Sequence, residues 1–152
     1  MDPVAATPTA PRNYAALNAG YAAVAGAVAL SASRRRDDPA PGEPAELLLY
    51  GAATAGLAHL LAKEKATEWI RSPFVETPPD GERRPRGSGA RYVVGELLIC
   101  PHCLGSWSAL SLVGLRAAAP RQARVGATLL ALSYINSFLQ ARLSEEKAKA
   151  NA

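Results

Sequence analysis

The chain has 152 residues, enough for one domain, and a net charge of +4 with a pI near 9.3. Its 49% hydrophobic content also suits a soluble protein, so the averages exclude little. The distribution excludes more: no basic helix interleaved with aromatics points to nucleic acid, and Cys100 and Cys103 alone are no disulfide framework of a secreted mini-protein.

Charges are nearly absent from 13–33, 47–62, 97–115 and 125–141, and they crowd the stretches between. Residues 1–12, with Pro3, Pro8 and Pro11, read as a disordered tail that lacks the basic start of a signal peptide. The run 14–33 has the roughly 20 apolar residues a helix needs to cross a bilayer core, and Arg34, Arg35 and Arg36 stop it. A polar turn follows over 37–45. The second run, 47–62, is short for a span. Its helix is expected to continue through Lys63, Glu64 and Lys65 to about Ile70, with the lysine stems snorkelling at the membrane surface. Ser72-Pro73 ends it.

Residues 72–91 are rich in proline, glycine and arginine and read as a flexible basic loop. The third run, 92–119, is too long for one plain span and contains Pro101. The preferred reading starts a spanning helix at Cys100, with Pro101 at the first helical position, where a missing N–H costs nothing. Residues 92–99 then form an interfacial or re-entrant helix. The other reading is one long helix kinked at Pro101. Pro120 breaks the chain, 125–141 is the fourth run, and 144–152 is a charged tail.

Two of these runs carry a heptad-like seam, Tyr14, Leu17, Tyr21, Val24 and Val28 in the first and Leu47, Tyr50, Thr54, Leu57 and Leu61 in the second. A soluble bundle would place charge on the opposite faces. Here those faces carry Ala, Gly, Ser and Asn, and a chain of this length cannot bury four such helices. The expected fold is therefore all-α: a multi-pass transmembrane bundle of about four helices forming one domain over 13–143. In a three-span variant the first or second helix lies on the surface. Small residues four apart (Gly51 and Ala55, Ala52 and Gly56, Gly105 and Ala109, Gly114 and Ala118) predict close helix contacts. Lysine and arginine are more numerous on the side holding both termini and the central loop, which places that side in the cytoplasm of an inner, or cell, membrane. Arg34, Arg35 and Arg36 oppose that bias. The expected partners are the bilayer, anionic headgroups through the basic loop, and a second copy or another protein.

The densest chemistry is the stretch Gly95-Glu96-Leu97-Leu98-Ile99-Cys100-Pro101-His102-Cys103-Leu104-Gly105-Ser106-Trp107. Cys100 and Cys103 share one helix face, and a thiol at a helix N-terminus is acidified by the exposed N–H groups. His102 between them suits a thiolate. Three readings follow. The leading one is a structural or partner-binding role without catalysis. The second is a membrane thiol–disulfide oxidoreductase using Cys100, Cys103 and His102. The third is a scaffold stabilised by zinc on Cys100 and Cys103, which supply half of a tetrahedral site and need a second half. No other cofactor is expected. Glu96 among apolar neighbours is a functional candidate, with Arg91 or Arg71 as its expected partner. His59, within the second run, reads as a packing residue.

The residues Lys65, Arg71-Ser72-Pro73-Phe74-Val75-Glu76, Gly95-Glu96-Leu97-Leu98 and Cys100-Pro101-x-Cys103-x-Gly105-x-Trp107 together resemble the bacterial membrane-protein family of domain of unknown function 1360, which has sporulation-associated members. The resemblance covers roughly the central third of the chain. It implies a multi-pass membrane protein and no known activity. It also implies that Arg71, Pro73, Phe74 and Glu76 form one site with Gly95, Glu96, Pro101, Gly105 and Trp107, the Arg-Ser-Pro-Phe turn packing on the start of the cysteine helix and a Glu96–Arg71 pair holding it.

Overall fold

The computed structural model describes residues 10–33, 43–78 and 81–150. Arg34, Arg35, Arg36, most of the expected tail and most of the expected first turn lie outside that set. The described chain is all-α apart from one short strand pair. It contains α1 (Pro11–Ser33), α2 (Pro44–Lys63), a 3-10 turn (Lys65–Thr67), α3 (Glu68–Arg71), strands β1 (Val75–Glu76) and β2 (Arg84–Pro85), α4 (Gly89–Ile99), α5 (Pro101–Ala118) and α6 (Pro120–Ala150). All four long helices begin on a proline, whose fixed φ and missing N–H fit the first helical turn.

Side-chain contacts set the helix directions. Tyr21 meets Trp107, and a Cβ on Gly114 would lie 3.2 Å from Val28, so α1 and α5 run in parallel. Arg116 bonds Glu46 at 3.0 Å near one end of α2, while Leu104 packs with Ala58 and Ala62 near the other, so α2 and α5 are antiparallel. Gly56 lies against Leu130, and His59 faces Tyr134, so α6 returns alongside α2. The result is an up-and-down bundle. Tyr14, Ala62 and Cys100 lie at one end, together with the segments 64–78 and 81–88. Helix α4 bends 89° away from α5 and lies across that end.

The core is centred on α2 and built from small side chains. Ala53, Leu112, Ala127 and Ala131 form one buried cluster, and Ala58, Ala62 and Leu104 form another. Helix α6 contributes an alanine every four residues, one stripe of a helix surface, and Gly56 opposes that stripe. A Cβ on Gly56 would stand 2.7 Å from the Leu130 carbonyl oxygen, so the two backbones nearly touch. Of the expected bulky seam of α2, Tyr50, Leu57 and Leu61 pack half-buried on these clusters. Leu47 is largely exposed, and Ala53, Gly56, Ala58 and Ala62 face inward, because α2 is wedged between α5 and α6 and only small residues fit. Of the expected small-residue contacts, those at Gly56 and Gly114 are present, whereas Gly51 and Gly105 face open space. Val24 of the α1 seam is also exposed, and the half-buried line passes through Ala25 instead, as a straight 3.6-residue helix requires.

Two helices, α1 and α2, are long and apolar enough to cross a membrane, or three spans if α4 and α5 count as one bent span. The fourth expected span lies in α6, which falls short of that apolarity because Asn136, Ser137 and Gln140 interrupt its second half. Outward faces carry Leu30, Leu48, Leu129 and Leu132, each 60% exposed or more, where a soluble bundle would carry charge.

Candidate functional site

The interruption at Cys100 follows from local chemistry. Ile99 ends α4, Cys100 adopts an extended backbone, and Pro101 starts α5. Cys100 is the N-cap: its sulfur accepts the Cys103 N–H at 3.3 Å, in the position a serine or aspartate oxygen usually takes. One helical turn then carries the Cys103 sulfur to 2.7 Å from the Cys100 sulfur. Both cysteines are free thiols; Cys100 is half-buried and Cys103 exposed. His102 is exposed and points to neither a carboxylate nor a ring among the described contacts.

Beside the thiols a cavity of about 700 Å³ opens between α1 and the α4–α5 bend. Tyr14, Leu17 and Tyr21 form its α1 wall; Glu96, Cys100, Cys103 and Trp107 form the opposite wall. Tyr21 and Trp107 meet edge to face, with centroids 5.2 Å apart at 79°. The Tyr14 hydroxyl donates a short hydrogen bond to the Glu96 carboxylate. Sequence reasoning singled out Glu96 but missed Tyr14 as its partner. The available signal was Tyr14 on the inward seam of α1, at the only end of that helix that reaches α4.

The expected Glu96–Arg71 and Glu96–Arg91 pairs are not formed. Arg71 is only 3% exposed and turns toward α2. Its guanidinium donates to the Leu61 carbonyl at 2.5 Å, the Glu64 carbonyl at 2.7 Å and the Thr67 hydroxyl at 2.8 Å. Arg83 adds bonds to the Ala62 carbonyl at 2.5 Å and the Lys63 carbonyl at 3.2 Å. These carbonyls are the unsatisfied acceptors at the C-terminus of a helix, where positive charge also meets the negative end of the dipole. Burial, and then the nearby Arg83 charge, lower the Arg71 pKa below its ordinary value. Arg71 is thus a structural clamp.

The described residues of 72–91, a stretch expected to be a flexible loop, include a strand pair and the first turn of α4. Val75 pairs with Pro85 and Glu76 with Arg84 in an antiparallel ladder, and the Arg86 N–H donates to the Phe74 carbonyl at 2.7 Å. Arg91 donates twice to the Pro73 carbonyl, at 2.9 and 2.5 Å. Backbone carbonyls of the turn bind the arginines, which a reading by composition overlooks. The turn does pack on α4. A Cβ on Gly95 would lie 2.5 Å from the Phe74 carbonyl oxygen and 2.9 Å from Pro85, so only glycine admits that approach. The Arg71-to-Glu76 segment therefore touches the helix that carries Glu96, on the side away from the cavity that Glu96 lines.

His59 sits 3.6 Å from Glu64 with its ring tilted toward Tyr134 beside the α2–α6 contact, and its side chain is exposed. Among the described residues no three His, Cys, Asp or Glu side chains converge as a metal site would require; the thiol pair supplies two ligands of the four zinc takes.

The fold and this site define a helical protein with two or three helices able to span a membrane and a thiol pair at a helix bend. A family model described as a protein of unknown function (DUF1360) matches residues 49–143, and the chain belongs to that family. The matched segment holds both cysteines and the Arg71 clamp but leaves out α1, the opposite wall of the cavity. No curated protein and no solved structure matches the chain.

Proposed function

We propose that this is an integral membrane protein whose four long helices cross the bilayer, and that Cys100 and Cys103 act as a reversible dithiol–disulfide pair at its surface. At 1.5 Å per residue, α1, α2 and α5 are each about 27–35 Å long, which matches a hydrocarbon core. Helix α6 follows α2 across despite its polar second half. The end holding the thiols also holds Arg71, Arg83, Arg84, Arg86 and Arg91, so the charge rule assigns it to the cytoplasm. There the largely exposed Trp69 sits at headgroup level and the hairpin arginines meet anionic lipid.

The observation that carries the redox reading is the approach of the two sulfurs to 2.7 Å at the start of α5, one half-buried and one open to an attacking thiol. The step is thiol–disulfide exchange: a thiolate attacks a partner disulfide, a mixed disulfide forms, and the second cysteine displaces the partner as a thiol. The test is differential alkylation of the purified protein equilibrated in glutathione buffers of graded potential. One two-electron transition is expected in the wild type and none in Cys103→Ser. Thiols that alkylate fully in every buffer overturn the proposal.

A second reading rests on the Cys100 cap, in which the sulfur only ends α4 and starts α5. Cys100→Ser separates the two, because serine caps at least as well. Under the redox reading this variant keeps its stability and loses the transition.

A further inference from the structure

Resting on the dithiol reading, we infer that the cavity between α1 and the α4–α5 bend binds a lipid-soluble quinone, and that this quinone is the electron acceptor of Cys100 and Cys103. The volume of about 700 Å³ suits one substituted ring and the first part of a tail; ligand sites generally run from about 300 to 1,000 Å³. Both thiols lie in the lining, so a bound ring needs no further route to them. Tyr21 and Trp107, packed edge to face on each other, bring aromatic surface to this slot. Asn18 and Ser106 bring amide and hydroxyl groups to the lining that can donate to a ring carbonyl, and the Tyr14–Glu96 pair adds a further polar contact.

Access favours a lipid-borne ligand. No residue of α1 is buried, and that helix forms one whole wall, so the slot is closed by a helix that the bundle core does not hold. A peptide substrate needs backbone hydrogen-bonding groups along its length, whereas the lining is mostly apolar. An acyl chain would leave the thiols, the carboxylate and the tyrosine hydroxyl without purpose.

The step balances. The Cys100 and Cys103 thiols together lose two electrons and two protons, one S–S bond forms, and the quinone takes both electrons and both protons to become the hydroquinone. The cytoplasmic poise keeps the pair reduced at the start, which sets the direction of transfer from thiols to ring.

The experiment uses full-length protein in lipid nanodiscs. With Trp69→Phe, Trp107 is the remaining tryptophan and reports the slot directly. Titration with a short-tailed benzoquinone is expected to quench it saturably, with at least tenfold weaker binding in Ser106→Phe, which fills the slot. Reduced wild-type protein should yield one hydroquinone per disulfide formed, and Cys103→Ser should bind the quinone without yielding hydroquinone. Cycling of the wild-type protein with oxidised glutathione serves as the control. Non-saturable quenching that Ser106→Phe leaves unchanged means partition into lipid alone and overturns the inference. A pair that cycles with glutathione but never reduces the quinone also overturns it and leaves the dithiol reading standing. A pair that cycles with neither removes both.

Discussion

Helix α5 meets its neighbours in opposite ways on its two flanks. Toward α2 and α6 it lays Leu104 and Leu112 on a core of alanines and one glycine, where the backbones of α2 and α6 nearly touch. Toward α1 it meets half-buried tyrosines across a cavity, and α1 has no buried residue at all. Both flanks use helices with long uncharged runs, so charge does not set the difference. Side-chain size does. Small residues let helices close on each other through many weak contacts; Val28 closes on Gly114 in that way, whereas Tyr14, Tyr21 and Trp107 leave a cavity at the other end of α1. The thiols and Glu96 lie on the loose flank, where a ligand has room, and the tight flank holds the frame that positions them.

The largest effect expected concerns the end of that frame. Arg71→Ala removes three hydrogen bonds from a charged donor, to the Leu61 and Glu64 carbonyls and the Thr67 hydroxyl, and leaves the Glu64 carbonyl only its Thr67 partner. At about 1.5–3 kcal/mol for each hydrogen bond to a charged group, a loss of about 3 kcal/mol or more is expected, read as a lower denaturation midpoint in detergent. Arg71→Lys should recover less than half, since an ammonium cannot reach two carbonyls with one planar fork. Full recovery by lysine would show that charge alone, rather than geometry, closes α2.

Next in size is Gly56→Ala. The new methyl meets the Leu130 carbonyl oxygen, a backbone atom that cannot swing aside. Overpacking of this kind costs about 1–3 kcal/mol. A neutral result in the same denaturation assay would mean that the α2–α6 contact is looser than its geometry and would erase the contrast between the flanks.

Much of the frame is legible in the sequence because it rests on local rules. Four uncharged runs gave the four long helices, Pro101 after Cys100 gave the break, and the Gly95 and Phe74 motifs did come together. What the sequence withheld are choices among distant partners. Glu96 has two arginines close by in sequence yet bonds a tyrosine 82 positions away, because Arg71 is drawn to the open end of α2 and Arg91 to a carbonyl of the hairpin. The seam of α2 marks only part of its inward surface for a related reason. Periodicity marks a face by its bulky residues, but a helix with neighbours on two sides buries whichever face lets them both approach.

On the loose flank, Tyr14→Phe removes one hydrogen bond to Glu96 and nothing else, a change of about 1 kcal/mol. It should lower hydrogen-exchange protection in α1 while α2 keeps its own. Equal loss in α2 would make the two flanks one cooperative unit and dissolve the comparison.

The smallest prediction has the opposite sign. Gly51 lies one turn before Ala55 on α2, is exposed, and a Cβ there meets nothing within 4 Å. Alanine at this position keeps the helix, fills empty space and reduces the freedom of the unfolded chain, so Gly51→Ala should stabilise by about 0.5–1 kcal/mol. Two glycines five positions apart on one helix would then respond in opposite directions, with only the neighbour across the interface to separate them. If Gly51→Ala instead destabilises the protein in a bilayer but not as a monomer in detergent, something in the membrane presses on that face. The loss should then deepen as the protein-to-lipid ratio rises if the presser is a second copy of the chain, and stay constant if it is lipid.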